Sequence, residues 1–352
     1  MDTSVLPSPA LVVDMAAFGA NVAAADRWCG GTPKRIRPHV KAHRTPALAL
    51  RQLTASTSGL TCATVGEAEV MVDAGAGDVL VANEVVDRRK LDRLADLARR
   101  ATVATAVDAI EPALALGAAA RAAGSTVAVL VDLDVGLGRC GVPGPAEAVK
   151  LGAVAEQTAG LRLGGLMGYE GRQRAGEGRA AVIGRAYAML AEVRQAFDRA
   201  GLPAGVVSSA GTSTLREALA DPVVTEIQAG TYALMEADLD GLGLPFVPAL
   251  SVVATVISRA RDRAVLDAGR KSIAGDYGPP APLIPGAEVA GFNEEHTTLR
   301  FCDPAGAPAL GDRVALRPAH ARLTFNLHDS VWLAHPDGSF ERAQVTARGR
   351  SW

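Results

Sequence analysis

The run Ile36-Arg37-Pro38-His39-Val40-Lys41, continuing through Ala42-His43-Arg44-Thr45, frames the reading of this chain. It reads as the end of a buried strand, polar and closely specified, with one lysine between two histidines. Counted from it, strand-like runs recur at 60–65, 79–83, 103–108, 127–134, 161–169, 206–210 and 224–228. Between most of them lie Ala/Leu/Arg segments of helical period; in 87–101, Leu91, Leu94, Leu97, Ala98 and Ala101 share one face. Eight strands alternating with helices predict an α/β fold, a parallel (β/α)8 barrel of the TIM type. The strands are almost continuously apolar, as a parallel sheet buried on both faces requires. A short strand at 10–14 and a helical segment at 15–29, ended by Gly30-Gly31, precede the first barrel strand.

Beyond about Leu244 the pattern changes. Pro245-Phe246-Val247-Pro248 punctuates the chain, helical periods disappear, and strand-like runs follow at 249–258, 264–267, 288–292, 297–301, 313–316 and 330–334. This predicts a C-terminal all-β domain. The expected organisation is a barrel over 10–244 and a β domain over 249–352, with residues 1–9 as an extended arm packing on the latter.

Of the 352 residues 49% are apolar, enough for a sizeable core, and the formal charge is only −2. No long basic run supports a nucleic-acid partner. No run is long and apolar enough to cross a membrane, and the first residues lack a signal-peptide pattern. Cys29, Cys62, Cys140 and Cys302 are far apart and form no CxxC pair, which suits a reducing, cytoplasmic setting.

The chemistry starts from Lys41, one of five lysines. A lysine just past an apolar strand can be desolvated, which lowers its pKa and frees the neutral amine to attack an aldehyde. The competing reading is a solvated strand-end charge. Lys90 and Lys150 fall on helix faces, Lys34 in a turn, and Lys271 remains a rival. In such a barrel the loops after strands seven and eight commonly hold phosphate. Here they read Ser208-Ser209-Ala210-Gly211-Thr212-Ser213 and Ala229-Gly230-Thr231-Tyr232, with small residues and hydroxyls suited to an anion, or simply to capping helices. An aldehyde-bearing phosphate cofactor, pyridoxal 5'-phosphate, would fit both the lysine and the loops.

Several runs resemble one family. Arg37-Pro38-His39-Val40-Lys41, Leu60-Thr61-Cys62-Ala63-Thr64-Val65-Gly66-Glu67-Ala68-Glu69 and Val131-Asp132-Leu133-Asp134-Val135-Gly136-Leu137-Gly138-Arg139-Cys140-Gly141-Val142 look like the D-threonine aldolase / D-serine dehydratase group. So do Asp267-Ala268-Gly269-Arg270-Lys271-Ser272 and Phe292-Asn293-Glu294-Glu295-His296. That group has the alanine-racemase-like fold of pyridoxal phosphate enzymes. The resemblance implies that Lys41 carries the cofactor as a Schiff base and that Arg139 faces the pyridine nitrogen. It places His39 near the ring and Tyr169 along the cofactor and substrate. It gives the phosphate to Ser209, Gly211 and Thr212 with Gly230, Thr231 and Tyr232. Asn83 could line the pocket or cap a turn. The family usually works as a homodimer with its active site near the interface; Glu294, Glu295 and His296 could reach a partner's site or form a charged turn.

The family also implies a divalent metal near the carboxyl end, held by a histidine and, two residues on, an aspartate or cysteine. Read as a strand, such positions point to one side. Here His320 stands first and Arg322 second, and a guanidinium repels a cation and offers it no lone pair. The expectation is loss of the metal, or its retention through His328 or Asp329. Freed of a metal, His320 could act as general acid or base, and Arg322 could bind an anionic substrate group or an oxyanion. A second family histidine is replaced by Arg172, so an anionic side chain on the substrate is expected if both arginines point inward. The expected function is a pyridoxal phosphate-dependent lyase acting on a β-hydroxy-D-amino acid, by retro-aldol cleavage or by dehydration. Rival readings are a metal-independent racemase or epimerase, a non-catalytic cofactor carrier, and a structural protein with a dead site.

Overall fold

The structure is a computed structural model describing residues 2–352. Its strands, in chain order, are β1 (Ala10–Asp14), β2 (Arg35–Ile36), β3 (Leu60–Cys62), β4 (Asp78–Glu84), β5 (Thr102–Val107), β6 (Val127–Leu133), β7 (Leu161–Gly168), β8 (Val206–Ser209) and β9 (Glu226–Ile227). There follow β10 (Leu250–Ala260), β11 (Arg263–Leu266), β12 (Ala281–Pro282), β13 (Ala287–Phe292), β14 (Thr297–Phe301), β15 (Arg313–Arg317), β16 (Ser330–Ala334) and β17 (Phe340–Gln344).

The chain divides into two compact units. One comprises residues 25–41, 48–230 and 350–352; the other comprises the chain up to Ala24 with residues 42–47 and 231–349. The first unit is the (β/α)8-type barrel. Among the described residues its sheet has eight parallel strands in the order β2-β9-β8-β7-β6-β5-β4-β3. The ring closes through parallel bridges Ile36–Thr57 and His39–Thr61, with the Thr61 amide donating to the Pro38 carbonyl at 2.8 Å. All of β6 is buried, and Leu80, Ala106, Leu130 and Met167, from four successive strands, pack together. That is why these runs read as continuously apolar.

Local chemistry sets the element ends. The run expected as a strand to residue 65 stops at Cys62 because Thr64 caps the next helix. Its Oγ1 accepts the Glu67 amide at 3.1 Å, and the Glu67 carboxylate accepts the Ala63 amide at 2.7 Å. Asp87 does the same for Arg88–Leu97, whose buried face is Leu91, Leu94, Ala95 and Leu97. In β7, Gly165 has φ +146°, and a Cβ there would lie 1.9 Å from the Val206 carbonyl oxygen, next to a register shift between β6 and β7. Gly165→Ala is therefore expected to cost roughly 3 kcal/mol or more, from overpacking and backbone strain. A urea denaturation midpoint checks it, and an unchanged midpoint would contradict the close approach.

The second unit is built on a sheet ordered β13-β14-β11-β10-β1-β16-β17, with β15 pairing β10 and β12. β1 lies antiparallel to β10 and parallel to β16. Leu6 packs with Ala10, Val12, Val253 and Ala334, and Ser8 is hydrogen-bonded to Thr255 and Asp267. This part is not purely β after residue 249. A short helix, Ala321–Asn326, follows β15, and β12 and β17 are additional strands. Among the described residues no helix is long and apolar enough to cross a membrane.

Candidate active site

Lys41 does not end a strand. β2 stops at Ile36, because Pro38 has no amide to offer a ladder, and Lys41 sits in a 3-10 turn, Val40–Ala42. The extended chain before that turn is still held on both sides: the His39 amide donates to Ala229 at 3.1 Å, and His39 is buried. Lys41 therefore leaves the carboxyl end of the first barrel strand on a short, fixed segment. Its Nζ lies 6.0 Å from the centroid of the Tyr169 ring, and the Arg139 guanidinium carbon lies 5.8 Å from that centroid. Tyr169 directly follows β7, and Arg139 lies in the loop after β6.

Tyr169 also borders the loop after β8: a Cβ built on Gly211 would be 3.6 Å from its ring and hydroxyl, an ordinary contact. That loop is shaped from within by Glu170, which is buried. Ser209 Oγ donates to its carboxylate at 3.2 Å and Thr214 Oγ1 donates to it as well; the Gly211 amide donates to Thr214 Oγ1 at 3.1 Å. Burial pushes the Glu170 carboxyl up, against the pull of these donors. These bonds hold Ala210 at φ +66°, an uncommon value for a residue with a side chain. Gly230 is dictated by packing, since a Cβ there would lie 2.5 Å from the His39 carbonyl oxygen. Thr231 and Tyr232 belong to a 3-10 turn of the second unit, where the buried Tyr232 ring packs 5.5 Å from Phe246.

The barrel has two other features that could bind a ligand. Glu84, Asp108 and Cys140 bring potential metal-ligating atoms within 4.8 Å of one another. Burial and the adjacent Glu84 carboxylate push the neighbouring Asp132 up to about 8. An open groove bordered by Gly77, Arg100, Thr102 and Arg162 lies at the amino ends of the strands, opposite Lys41. Barrel chemistry belongs at the other end.

In the second unit, His320 and Arg322 are not strand neighbours. His320 is the N-cap of Ala321–Asn326 and Arg322 lies in that helix's first turn, so the same-side argument for a shared ion fails. His320 is buried; its Nδ1 is 2.5 Å from Asp276 Oδ2, and its ring stacks on Tyr277 at 4.1 Å and 5°. Burial and then the nearby Arg322 lower the His320 pKa, with Asp276 opposing them. Arg322 donates to the Tyr277 hydroxyl at 3.2 Å, and its Nε is 3.4 Å from the Glu236 carboxylate, whose side chain is fully buried. The Ala321 amide donates to the same carboxylate oxygen at 3.1 Å, and Arg44 donates to the Arg322 carbonyl.

The barrel cluster fits pyridoxal phosphate. A flat aldehyde with an anionic arm needs an amine, a donor for its ring nitrogen, an aromatic wall and a loop of small residues. Lys41, Arg139 and the 209–212 loop are gathered around Tyr169. Arg172 is half-buried beyond β7. Lys271, the rival anchor, is exposed and ion-paired with Glu295. Asn83 donates to the Ala63 carbonyl at 3.1 Å, a structural tie. The sequence reading missed Glu170, Glu236, Asp276 and Tyr277. Glu170 adjoins Tyr169 and could have been noticed as an acid beside a proposed anion loop. Asp276 lies 44 residues before His320, with no spacing signal to connect them.

Residues 13–238 match the family described as "Alanine racemase, N-terminal domain", and residues 249–334 match a "Putative serine dehydratase domain". The chain is 39% identical over 355 aligned residues to a D-threonine aldolase of an Arthrobacter species, covering 98% of this chain and 93% of that protein. Among solved structures, the D-threonine aldolase from Filomicrobium marinum is similar with a TM-score of 0.95 at 37% identity, covering 99% of this chain and 98% of the other. The D-threo-3-hydroxyaspartate dehydratase of a Delftia species is similar with a TM-score of 0.85 at 30% identity, covering 99% of each chain.

Proposed function

Since this chain belongs to the alanine racemase N-terminal domain family, with a serine dehydratase domain behind it, we propose that it is a pyridoxal phosphate-dependent lyase of β-hydroxy-D-amino acids that works by retro-aldol cleavage. The observation that carries the cofactor is the placement of Lys41 and Arg139 about one ring, Tyr169. The preference for cleavage over dehydration is supported by the higher similarity to D-threonine aldolases in both identity and TM-score.

When bound, pyridoxal phosphate supplies electron withdrawal that stabilises negative charge at the substrate's Cα. The roles of the chain's own residues follow from their chemistry. Lys41 anchors the cofactor through its amine. Arg139 would hold the ring nitrogen by donating a hydrogen bond and, as a guanidinium that does not readily accept a proton, would leave that nitrogen unprotonated. This moderates the electron withdrawal and restrains proton loss at Cα, the entry to racemisation. Thr212 and the turn begun by Gly211, with Ser209 and the Gly230–Tyr232 turn, are assigned to the phosphate, and Glu170 holds the first of these loops in shape. His39, buried two residues before Lys41, would lie near the ring. His320, whose Nδ1–H donates to Asp276, keeps an Nε2 lone pair, which suits it to the work of a general base. A substrate with an acidic side chain would be read by Arg172, which is half-buried beyond β7.

The deciding experiment is incubation of the cofactor-loaded protein with β-hydroxy-amino acids of both configurations, including D-threonine, D-serine and 3-hydroxy-D-aspartate. Aldehyde, keto acid with ammonia, and altered stereochemistry are scored separately. Aldehyde and glycine from the D-isomers are expected. Keto acid and ammonia as the main products would replace cleavage by dehydration, and no product from any D-isomer would overturn the lyase reading.

A further inference from the structure

We propose that this chain operates without the divalent cation its family implies, because Arg322 is a built-in cation at the second ligand position. The inference deepens the lyase reading and rests on it for the reaction, but its geometry is independent of that reaction.

The donor set does not suit a metal ion. Asp276 Oδ2 engages His320 Nδ1 at 2.5 Å, so only Nε2 is left to face an ion, and the partner ligand would have to come from position 322. Tyr277 lies flat on the imidazole, which fixes the ring plane from one face. Two residues further on, the guanidinium brings a permanent charge and five donors and accepts nothing. It is fastened at two points, to the Tyr277 hydroxyl and beside the buried carboxylate of Glu236.

The charge arrangement points the same way. Glu236 is completely buried and faces both Arg322 and the Ala321 amide. A buried carboxylate without a counter-charge is costly, and the guanidinium 3.4 Å from Glu236 supplies a permanent one where an exchangeable ion would do so only while bound. A cation arriving at His320 would meet Arg322 at close range. Asp276 then acts as a positioning residue: by accepting from Nδ1 it fixes the imidazole tautomer, the orienting task that second-sphere acceptors perform for metal-bound histidines.

The test uses the cofactor-loaded protein and has readouts that need no turnover. Metal analysis of the purified wild type is expected to give well below one equivalent of manganese, zinc or iron per chain. Adding Mn2+ or Zn2+ is expected to leave its melting temperature unchanged, and dialysis against EDTA to alter activity by less than about twofold, where loss of a catalytic metal costs orders of magnitude. One tightly held equivalent in the wild type, or an EDTA-reversible rise in its melting temperature, would overturn the proposal.

Arg322→Asp should create the missing ligand. The variant is expected to take up about one Mn2+ or Zn2+ per chain and to gain ~5 °C in melting temperature on its addition, lost again with EDTA. Because that change leaves Glu236 buried without its guanidinium, the same measurements are made on Arg322→Asp combined with Glu236→Gln. If neither variant binds a cation, Arg322 is not what excludes the metal and the proposal fails. Failure of the lyase reading would show only in the substrate panel, so the two can be told apart.

Discussion

Lys41→Ala is expected to abolish the visible absorbance of the lysine-bound cofactor and to lower turnover by on the order of 10^3–10^4-fold, as for loss of a group that both anchors and moves protons. No other lysine is placed to substitute. Lys34 is the instructive rival, because burial lowers its pKa as an aldehyde-binding amine requires. Its amine, however, donates to the carbonyls of Ala218 and Asp221, and it precedes β2 at the amino end of the barrel. Lys150 is exposed on a helix, and Lys271 is held by Glu295 at the surface. Spectra of the wild type and variant, followed by borohydride reduction and peptide mass mapping, provide the measurement. Persistent colour, or a reduced adduct on another lysine, would refute the assignment.

Arg37→Met is expected to cost about 3–5 kcal/mol of folding stability, the range for removing one partner of a buried ion pair. Arg37 Nε is 2.8 Å from Glu226 and its Nη1 is 2.6 Å from Asp78, with Arg37 and Glu226 side chains only 10% and 5% exposed. Ser58 and Ser208 also donate to Glu226, at 2.6 and 2.7 Å, so the carboxylate stays buried among them when the guanidinium is removed. A domain's whole stability is about 5–15 kcal/mol, so the change would be conspicuous in urea titration. Arg37→Met with Glu226→Gln should recover much of the loss, since the orphaned charge goes too. A double variant no more stable than the single one would place the cost in packing instead.

These residues show what the amino-acid order reveals and what it conceals. The barrel was legible because each strand is a short apolar run buried on both faces, as β6 is throughout. Arg37 was visible as part of a motif, but its partners at positions 78 and 226 are contacts made by folding. Lys41 was singled out for its chemistry but set on the wrong element: Pro38 interrupts the ladder, and the turn after it has no period to read. The helix Ala321–Asn326 was missed because six residues are too few for a helical period to emerge. That error put His320 and Arg322 on an imagined strand. Asp276 lacked a signal because its hydrogen bond to His320 spans sequence distance and leaves no local pattern.

The placement of β1 bears on how such a protein can be remade by recombination. The two family matches, 13–238 and 249–334, suggest cassettes joined end to end. Yet β1, from the start of the chain, lies between β10 and β16 in one sheet. A gene crossover near residue 240 would give the new chain a central strand from one parent and both its neighbours from the other. Registers such as Ala10 opposite Val253 and Val12 opposite Trp332 would then have to match between parents. Offspring of distant parents should fail at this seam, so the protein is expected to be inherited whole.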